Sequence, residues 1–439
     1  MIADRYLLIR AASIYATAVV TALVWIWRRP STRAISGAVL GFVWNLPAVL
    51  LLMVAGTRAG WWQFDATGGL LLGVPVDLYL AWAWLWGAIP ALAFPRTPIA
   101  ALVVLALGVD LLLMPATAPV VRLEPGWLAG EAVGLAAALV PAQLLARWTA
   151  TDRHLAWRAT LQTVTFAGLM GFIIPAIVIQ GTASTWRNPL VWPAWQLNVL
   201  VQVLALPGVI GLTAVQEFVT RGGGTPVPFD PPRRIVTSGI YAYVRNPMQL
   251  SAVLMFLLLG FALWNPWIAA AGVMAHLYAV GFAGADEESD LQARFGPAWT
   301  AYRTGVPKWF PRIRPWHAPG EPPSRLFVAQ GCDVCRDVAA WFDGRGASQL
   351  TIIPAEDHPS GALRRITYEP GDGSRAASGI EAIARAVEHI SIGWALAGFA
   401  LRLPLVLPLV QLLADASGAG PRTLTDQTCA VPRRRASSL

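Results

Sequence analysis

The chain has 439 residues, of which 56% are hydrophobic and only 13% charged, with 21 tryptophans and a formal net charge of +8. A soluble domain carries about 25% charged residues, so the composition excludes a soluble enzyme, a disordered scaffold and a coiled coil, and indicates a polytopic membrane protein with a further region attached. The basic excess is almost all arginine, with Lys308 the single lysine, and no basic run is interleaved with aromatics as nucleic-acid binding would need.

A membrane span needs about 20 apolar residues. Predicted spans lie at 6–27, 35–56, 69–94, 98–119, 127–147, 159–180 and 191–217. A tighter pair, 249–263 and 267–284, is split by Trp264-Asn265-Pro266-Trp267 and reads as a compact hairpin, making about nine membrane segments. The first stretch, Tyr6 to Trp27, lacks the basic lead and small-residue cleavage site of a signal peptide and reads as a retained span.

Loop charge orients these spans. If the loop with Arg28, Arg29 and Arg33 faces the cytoplasm, alternation also puts there Arg96, the loop with Arg147, Arg153 and Arg158, and the loop with Arg221, Arg233, Arg234 and Arg245. The opposite loops hold only Arg58, Arg122 and Arg187. The expected N-terminus is therefore outside, and everything after 284 is cytoplasmic.

Composition turns soluble near 318. The proline-rich 317–323 reads as a linker, followed by strand-like Arg325 to Ala329, a helix from Cys332 to Phe342, and strands Leu350 to Ile353 and Arg364 to Tyr368. A helix from Ala377 to Ile390 and an apolar helix over 392–414 close the region. The expected organisation is an N-terminal bundle (1–217), a membrane domain (218–316), the linker, a cytoplasmic α/β domain (324–422) and a basic tail (423–439) with Arg433-Arg434-Arg435.

The densest chemistry lies between the seventh span and the linker. Gly222-Gly223-Gly224 permits close backbone approach or positive φ, and the prolines after it stiffen the loop. Gly239-Ile240-Tyr241-Ala242-Tyr243-Val244-Arg245-Asn246-Pro247-Met248 then leads into the hairpin. The return carries Glu287-Glu288, Leu291, Phe295-Gly296, Trp299 and Tyr302, and Val306-Pro307-Lys308-Trp309-Phe310-Pro311 ends the block. An Arg before the hairpin and a Glu pair after it meet at one membrane face, which suits an ion pair fixing the hairpin or a bound zwitterion.

The block from Gly222 to Pro311, about 90 residues, resembles the isoprenylcysteine carboxyl methyltransferase family of integral-membrane methyltransferases, which also covers phospholipid N-methyltransferases. The resemblance implies an S-adenosylmethionine-dependent enzyme with a cytosol-facing cofactor pocket and a lipophilic, prenyl- or lipid-like acceptor from the bilayer. It places Gly239, Tyr241, Arg245, Asn246, Pro247, Met248, Glu287 and Glu288 at the cofactor, with Arg245 and Glu287 at its amino-acid tail and at the reaction. The family often has His in place of Asn246, and usually Tyr in place of Gln249 and of Trp299. His276 reads either as a core residue of an apolar helix or as a base. The family's bacterial members imply a bacterial cytoplasmic membrane.

Cys332-Asp333-Val334-Cys335 follows a strand and opens a helix, where a thiolate is stabilised. Three cysteines, with Cys429 the third, are too few for a disulfide-stapled fold. A zinc site needs four ligands, and neither a second Cys-x-x-Cys nor a nearby His pair is present, so no metal is expected. From about Ser324 to Arg422 the chain resembles the DCC-type thiol-disulfide oxidoreductases. That implies a thioredoxin-like fold with Cys332 and Cys335 as the redox pair and a thiol redox partner. It also implies that the 392–414 helix packs on the domain or lies at the membrane surface. Members commonly carry Asp shortly before the first cysteine, where this chain has Gln330-Gly331.

Within the first 217 residues, Asp77, Asp110 and Glu131 fall in apolar segments, where ionisable groups are costly and mark sites. With the kinks of Pro47, Pro90, Pro175 and Pro207, these helices are expected to build a pocket for the acceptor. The sequence thus reads as an all-α polytopic membrane methyltransferase with a C-terminal α/β thioredoxin-like domain. The alternative is a membrane-anchored thiol-disulfide protein with a degenerate methyltransferase fold. A transporter would use the intramembrane acids instead.

Overall fold

The computed structural model describes residues 2–182, 186–227, 230–281, 283–331, 333–360 and 363–421, with side chains at all of these except 2–4, 190, 278–287, 333–334 and 418–419. Among the described residues, seven helical stretches are long and apolar enough to cross a membrane: Arg5–Arg28, Thr32–Ala59, Val76–Ala93, Ile99–Ala116, Trp127–Thr151, Leu155–Thr182 and Ala194–Gly222. Each falls on one of the seven long segments expected from hydropathy. The chain divides into two compact units, the first built from Met1–Trp192, Gly223–Pro232 and Phe256–Ala271, the second from Pro193–Gly222, Arg233–Met255 and Gly272–Leu439.

The first unit begins with α1 (Ile2–Arg28) and α2 (Thr32–Ala59), then β1 (Trp62–Phe64) and a small turn-back of β2 (Leu70–Leu71) and β3 (Val74–Pro75). Gly73, at φ +83°, makes that reversal possible, so the third span starts at Val76 rather than at 69. Helices α3 (Val76–Trp86) and α4 (Ala88–Ala93) follow, then α5 (Ile99–Ala116) and β4 (Val121–Leu123), which pairs with β1. The unit continues through α6 (Trp127–Gly134), α7 (Val140–Thr151), α8 (Leu155–Gly168) and α9 (Ile174–Thr182).

Small residues set the closest approach. A Cβ on Gly37 of α2 would strike the Ala146 carbonyl of α7, and one on Gly41 would lie 3.1 Å from the Ala142 carbonyl, the small-residue contact by which apolar helices pack in lipid. Where α3 breaks at Gly87, polar side chains take up freed carbonyls: Gln143 Nε2 donates to Trp86 O at 2.7 Å and to Gly87 O at 2.8 Å.

The intramembrane acids have partners. Arg10 Nε donates to Asp77 at 2.6 Å, tying α1 to α3, and Trp86 Nε1 donates to Asp110 at 3.0 Å. Glu131 meets Asp110 and borders a cavity of about 30 Å³ lined by Trp62, Trp82 and Trp86, the room of one water rather than a lipid chain.

The glycine-proline loop is also accounted for. Arg158 of α8, 1% exposed, pairs with Asp152 at 2.9 Å and with Asp230 of the loop. Thr225 N donates to Asp230 O at 3.0 Å. A Cβ on Gly224 would lie 2.8 Å from the Asp230 carbonyl, so that glycine is needed for the loop to fold on itself.

The second unit contains α10 (Ala194–Glu217), which continues as a wider turn to Gly222. Next in the chain come α11 (Pro247–Ala262) and α12 (Pro266–Gly281), shorter apolar helices forming the expected hairpin, whose turn Phe256–Ala271 is counted with the first unit, and then α13 (Ala283–Gly305). Asn265 Oδ1 caps α12 by accepting from the Trp267 and Ile268 amides, both at 3.1 Å. Helix α13 is interrupted at Gly296 (φ +50°), immediately before Pro297, because the proline disfavours α geometry in the residue before it.

The C-terminal region comprises β5 (Ser324–Val328), α14 (Asp333–Asp343), β6 (Leu350–Pro354), β7 (Thr367–Glu369), β8 (Ala377–Ser378), α15 (Ile380–Val387), α16 (Ile392–Leu401) and α17 (Val406–Ala414). Its sheet has the order β6-β5-β7-β8, with β5 parallel to β6 and antiparallel to β7. Two expected helices differ. The one over 377–390 starts only at Ile380, because Ala377–Ser378 pairs with β7 and Gly379 turns at φ +65°. The one over 392–414 is two helices bent by 88°, separated by Arg402, Leu403, Pro404 and Leu405, of which Pro404 has no amide hydrogen to donate.

Candidate functional site

The site is organised by two chain segments that lie far apart in sequence. The stretch 242–246 runs beside 307–316 through four backbone hydrogen bonds: Arg245 N to Pro307 O (2.9 Å), Asn246 N to Lys308 O (3.3 Å), Arg312 N to Tyr243 O (2.9 Å) and Trp316 N to Ala242 O (2.9 Å). Beneath them, Ile240, Tyr241, Tyr243 and Val244 form an apolar cluster with Ile210 and Ala214 of α10 and with Ala395 and Phe399 of α16. Tyr302 OH donates to Tyr241 O at 2.8 Å and Tyr243 OH to Glu388 O at 2.6 Å, so each buried hydroxyl has an acceptor.

Gly239 begins a tight turn, Gly239–Ala242, at φ +59°. A Cβ there would lie 2.6 Å from Glu217 Cγ. Glu217, at the end of α10, is fully buried and accepts from Ser238 Oγ at 2.8 Å and from Arg402 at 2.7 Å, with Arg385 at 3.4 Å. Pro247 occupies the first turn of α11, where a missing amide hydrogen costs nothing, and Met248 packs on the apolar cluster around Tyr241.

Charge gathers on Glu288. Its carboxylate is 3.0 Å from Lys308 Nζ, 3.8 Å from Arg245 and 4.0 Å from Arg303. The Lys308 hydrogen bond, aided by the two guanidinium groups, holds the Glu288 carboxyl below the usual carboxylate range. The Arg245 guanidinium also lies over the Trp299 ring at 5.6 Å. Three buried donors here find no acceptor among the described residues: Arg245 Nε, Asn246 Nδ2 and Trp299 Nε1. Buried donors are nearly always satisfied, so this stretch is short of acceptors.

Among the residues expected at the cofactor, Arg245 and Glu288 are thus brought together, with Asn246 alongside. Gly239, Tyr241, Pro247 and Met248 shape the turn and the start of α11. The side chain of Glu287 lies outside the described residues, as does Cys332; Cys335 packs into the core of the C-terminal region beside Leu326 and Phe342. His276 lies edge-on to Trp309, ring centroids 4.4 Å apart.

Residues 203–298 match the family described as phospholipid methyltransferase. No curated protein and no solved structure matches the chain. The match takes in Arg245, Asn246 and Glu288 and marks this part of the chain as methyltransferase-like, in a protein whose helices suit a multi-pass membrane location.

Beside Gly239, a cavity of about 380 Å³ is lined by Arg221, Ser238, Trp316, His317, Arg385 and Glu388, among others. Its wall carries a hydrogen-bonded chain from Ser324 through Tyr368 to His389, whose Nδ1 donates to Ser348 O at 2.8 Å. Burial pushes the Glu388 carboxyl up to about 7, despite Arg402 and Arg385, and pushes His389 down to about 4. No three His, Cys, Asp or Glu side chains among the described residues come together as a metal site.

Lys308, Arg303 and Trp299 were not among the residues expected at the cofactor. A signal for the first was present: it is the only lysine in the chain, and a compact ammonium is not interchangeable with a guanidinium.

Proposed function

We propose that the chain is an S-adenosylmethionine-dependent methyltransferase acting on a lipophilic acceptor within the membrane. The observation that carries this reading is that the family match spans Arg245 and Asn246, two of three side chains here that carry a buried donor atom with no acceptor, and ends one residue before the third, Trp299. The cofactor's amino-acid tail offers what the site is short of, a carboxylate able to accept several hydrogen bonds. Arg245, Asn246 and Trp299 would take that carboxylate, and Glu288, with Glu287 beside it in sequence, would take the ammonium. The cofactor, when bound, supplies a sulfonium methyl group that passes in line to the acceptor atom, leaving the electron pair of the broken bond on sulfur.

For such a displacement the protein chiefly aligns the partners and excludes water. The Gly239 turn and the paired segments 242–246 and 307–316 supply rigidity. A carboxylate acceptor needs no base, whereas an amine must shed a proton. His276, the only histidine between 222 and 311, would take that proton. The loop arginines support an outside N-terminus and a cytoplasmic C-terminal region, and the resemblance to a family with bacterial members would put the chain in a bacterial cytoplasmic membrane. The sheet order, with a parallel β5-α14-β6 unit extended by antiparallel β7 and β8, supports a thioredoxin-like domain; Cys332 and Cys335 would be its redox pair, toward a thiol partner.

Calorimetry of the detergent-solubilised full chain with S-adenosylmethionine tests the proposal. Saturable binding is expected. Arg245→Ala and Glu288→Gln should weaken it roughly tenfold to a hundredfold, the loss of a charged hydrogen bond being about 1.5–3 kcal/mol. Folded protein that binds no cofactor would reject the reading.

A further inference from the structure

Helix α17 carries its polarity in the reverse of the usual sense. Its polar side chains face protein: Gln411 Oε1 accepts from the Ile380 amide at 2.9 Å, Gln411 Nε2 donates to Asp415 at 2.7 Å, and Asp415, in the turn that extends the helix, takes both prongs of Arg365, one of them at 2.8 Å. Four leucines, one just before the helix and three on it, face outward. Leu405 is 87% exposed, Leu409 57%, Leu412 65% and Leu413 58%, and the spacing 405, 409, 412, 413 makes them one stripe on a helical surface. A surface helix of a soluble domain directs such a stripe into the core and its Gln and Asp to water. Here the two faces are exchanged, as they are in a helix whose outer surroundings are apolar.

The neighbours of α17 indicate which surroundings. Helix α16, joined to it through the 88° bend, packs Ala395 and Phe399 against Ile210 and Ala214 of α10, and α10 belongs to one of the helical stretches apolar enough to cross a membrane. Arg402, in the bend, is buried against Glu217 at the end of α10. The bend is therefore fixed at the end of a spanning helix, where hydrocarbon gives way to headgroups. The nine residues of α17 extend only about 14 Å at ~1.5 Å per residue, about half of the ~30 Å hydrocarbon thickness. Helix α17 is too short to span.

We infer that Leu405–Leu413 is a monotopic lipid-binding segment: α17 lies in the plane of the leaflet at which α10 ends, with Leu405, Leu409, Leu412 and Leu413 among acyl chains. The C-terminal region is thereby held at the membrane by its own side chains as well as by the chain that links it to the spans. This inference rests on the membrane reading of α10 and is independent of the methyltransferase chemistry.

The test uses the full chain with Cys332, Cys335 and Cys429 replaced by serine. Single cysteines (Leu409→Cys, Leu412→Cys, Gln411→Cys and Asp343→Cys) are labelled with a nitroxide in phosphatidylcholine–phosphatidylglycerol vesicles. Collision rates with oxygen, which concentrates in lipid, and with a water-soluble nickel chelate are then compared. At 409 and 412 oxygen access should exceed nickel access severalfold, at 343 the order should reverse, and at 411 both reagents should be excluded, which also reports that the helix is folded. Nickel access at 409 and 412 equal to that at 343 would overturn the inference, as a face meant for water or a soluble partner. Exclusion of both reagents with spin-spin broadening would overturn it in favour of a second copy of this chain.

Discussion

Arg402 Nη1 donates to Glu217 at 2.7 Å, with both side chains essentially removed from solvent. The pair links the end of α10 to the bend after α16, and Ser238 at the head of the Gly239 turn donates to the same carboxylate. A charge buried at this depth is tolerable only while its partner is present. Arg402→Met should therefore destabilise the folded chain by about 3–5 kcal/mol, seen as a lower midpoint in denaturant titration in detergent. The double variant Arg402→Met/Glu217→Leu should recover a large part of that loss. A double variant no more stable than the single one would show that the pair is not where the energy resides.

Gly239→Ala meets two obstacles. The left-handed conformation costs a non-glycine residue about 1–2 kcal/mol, and the new methyl would lie 2.6 Å from Glu217 Cγ. Affinity for S-adenosylmethionine should fall by roughly tenfold or more, since about 1.4 kcal/mol is a factor of ten. Gly296→Ala has the same sign of φ but open space around it, so it should cost stability while changing affinity far less. Calorimetry on both variants separates strain from collision.

Glu288 is held below the ordinary carboxylate range, chiefly by Lys308. A depressed carboxyl contributes stability above its unfolded value and loses it as pH falls through its folded value. The contact between α13 and the Arg245 stretch should thus persist at pH 5 and fail only in more acidic solution. Lys308→Met should move that loss to higher pH. The readout is cofactor affinity against pH, and an unchanged profile in Lys308→Met would remove the lysine from the account.

Glu388 and His389 titrate in opposition. Glu388 is raised from 4.5 to about 7, so between those values the folded chain holds a proton that the unfolded chain has lost, and stability declines as pH rises. His389 is lowered from 6.5 to about 4, so over nearly the same interval the unfolded chain holds the extra proton, and stability increases as pH rises. The slopes cancel between about pH 4.5 and 6.5. Glu388→Gln should unmask a rise of about 1.4 kcal/mol per pH unit, and His389→Phe a fall of similar size. Unfolding midpoints at several pH values decide it; parallel profiles in both variants would show that neither group titrates as described.

Much of the fold was legible locally. Seven long apolar runs became seven helical stretches, some of them broken, because lipid forces the backbone to satisfy itself within each segment. The Trp264-Asn265-Pro266-Trp267 break ended α11 and capped α12 through Asn265, a contact within three residues. Failures came where a neighbour overrode local preference. Ala377 and Ser378 have helix-compatible surroundings, yet a free edge of β7 takes them as a strand, and the even apolar run at 392–414 conceals a right-angle bend.

By itself, the sequence determined that this chain carries seven stretches apolar enough to enter a membrane and that one short motif holds Arg245 and Asn246. Those properties depend on composition and on residues near one another in the chain. The tertiary structure alone decided that Lys308 and Trp299 join Arg245, that Glu217 sits beneath Gly239 with Arg402 as its counter-charge, and that the leucines of α17 point outward while Gln411 and Asp415 point inward. The physical reason is one of range: each of these is a pairing or a facing set by packing between distant segments, and neither hydropathy nor spacing records which surface a helix turns toward its neighbours.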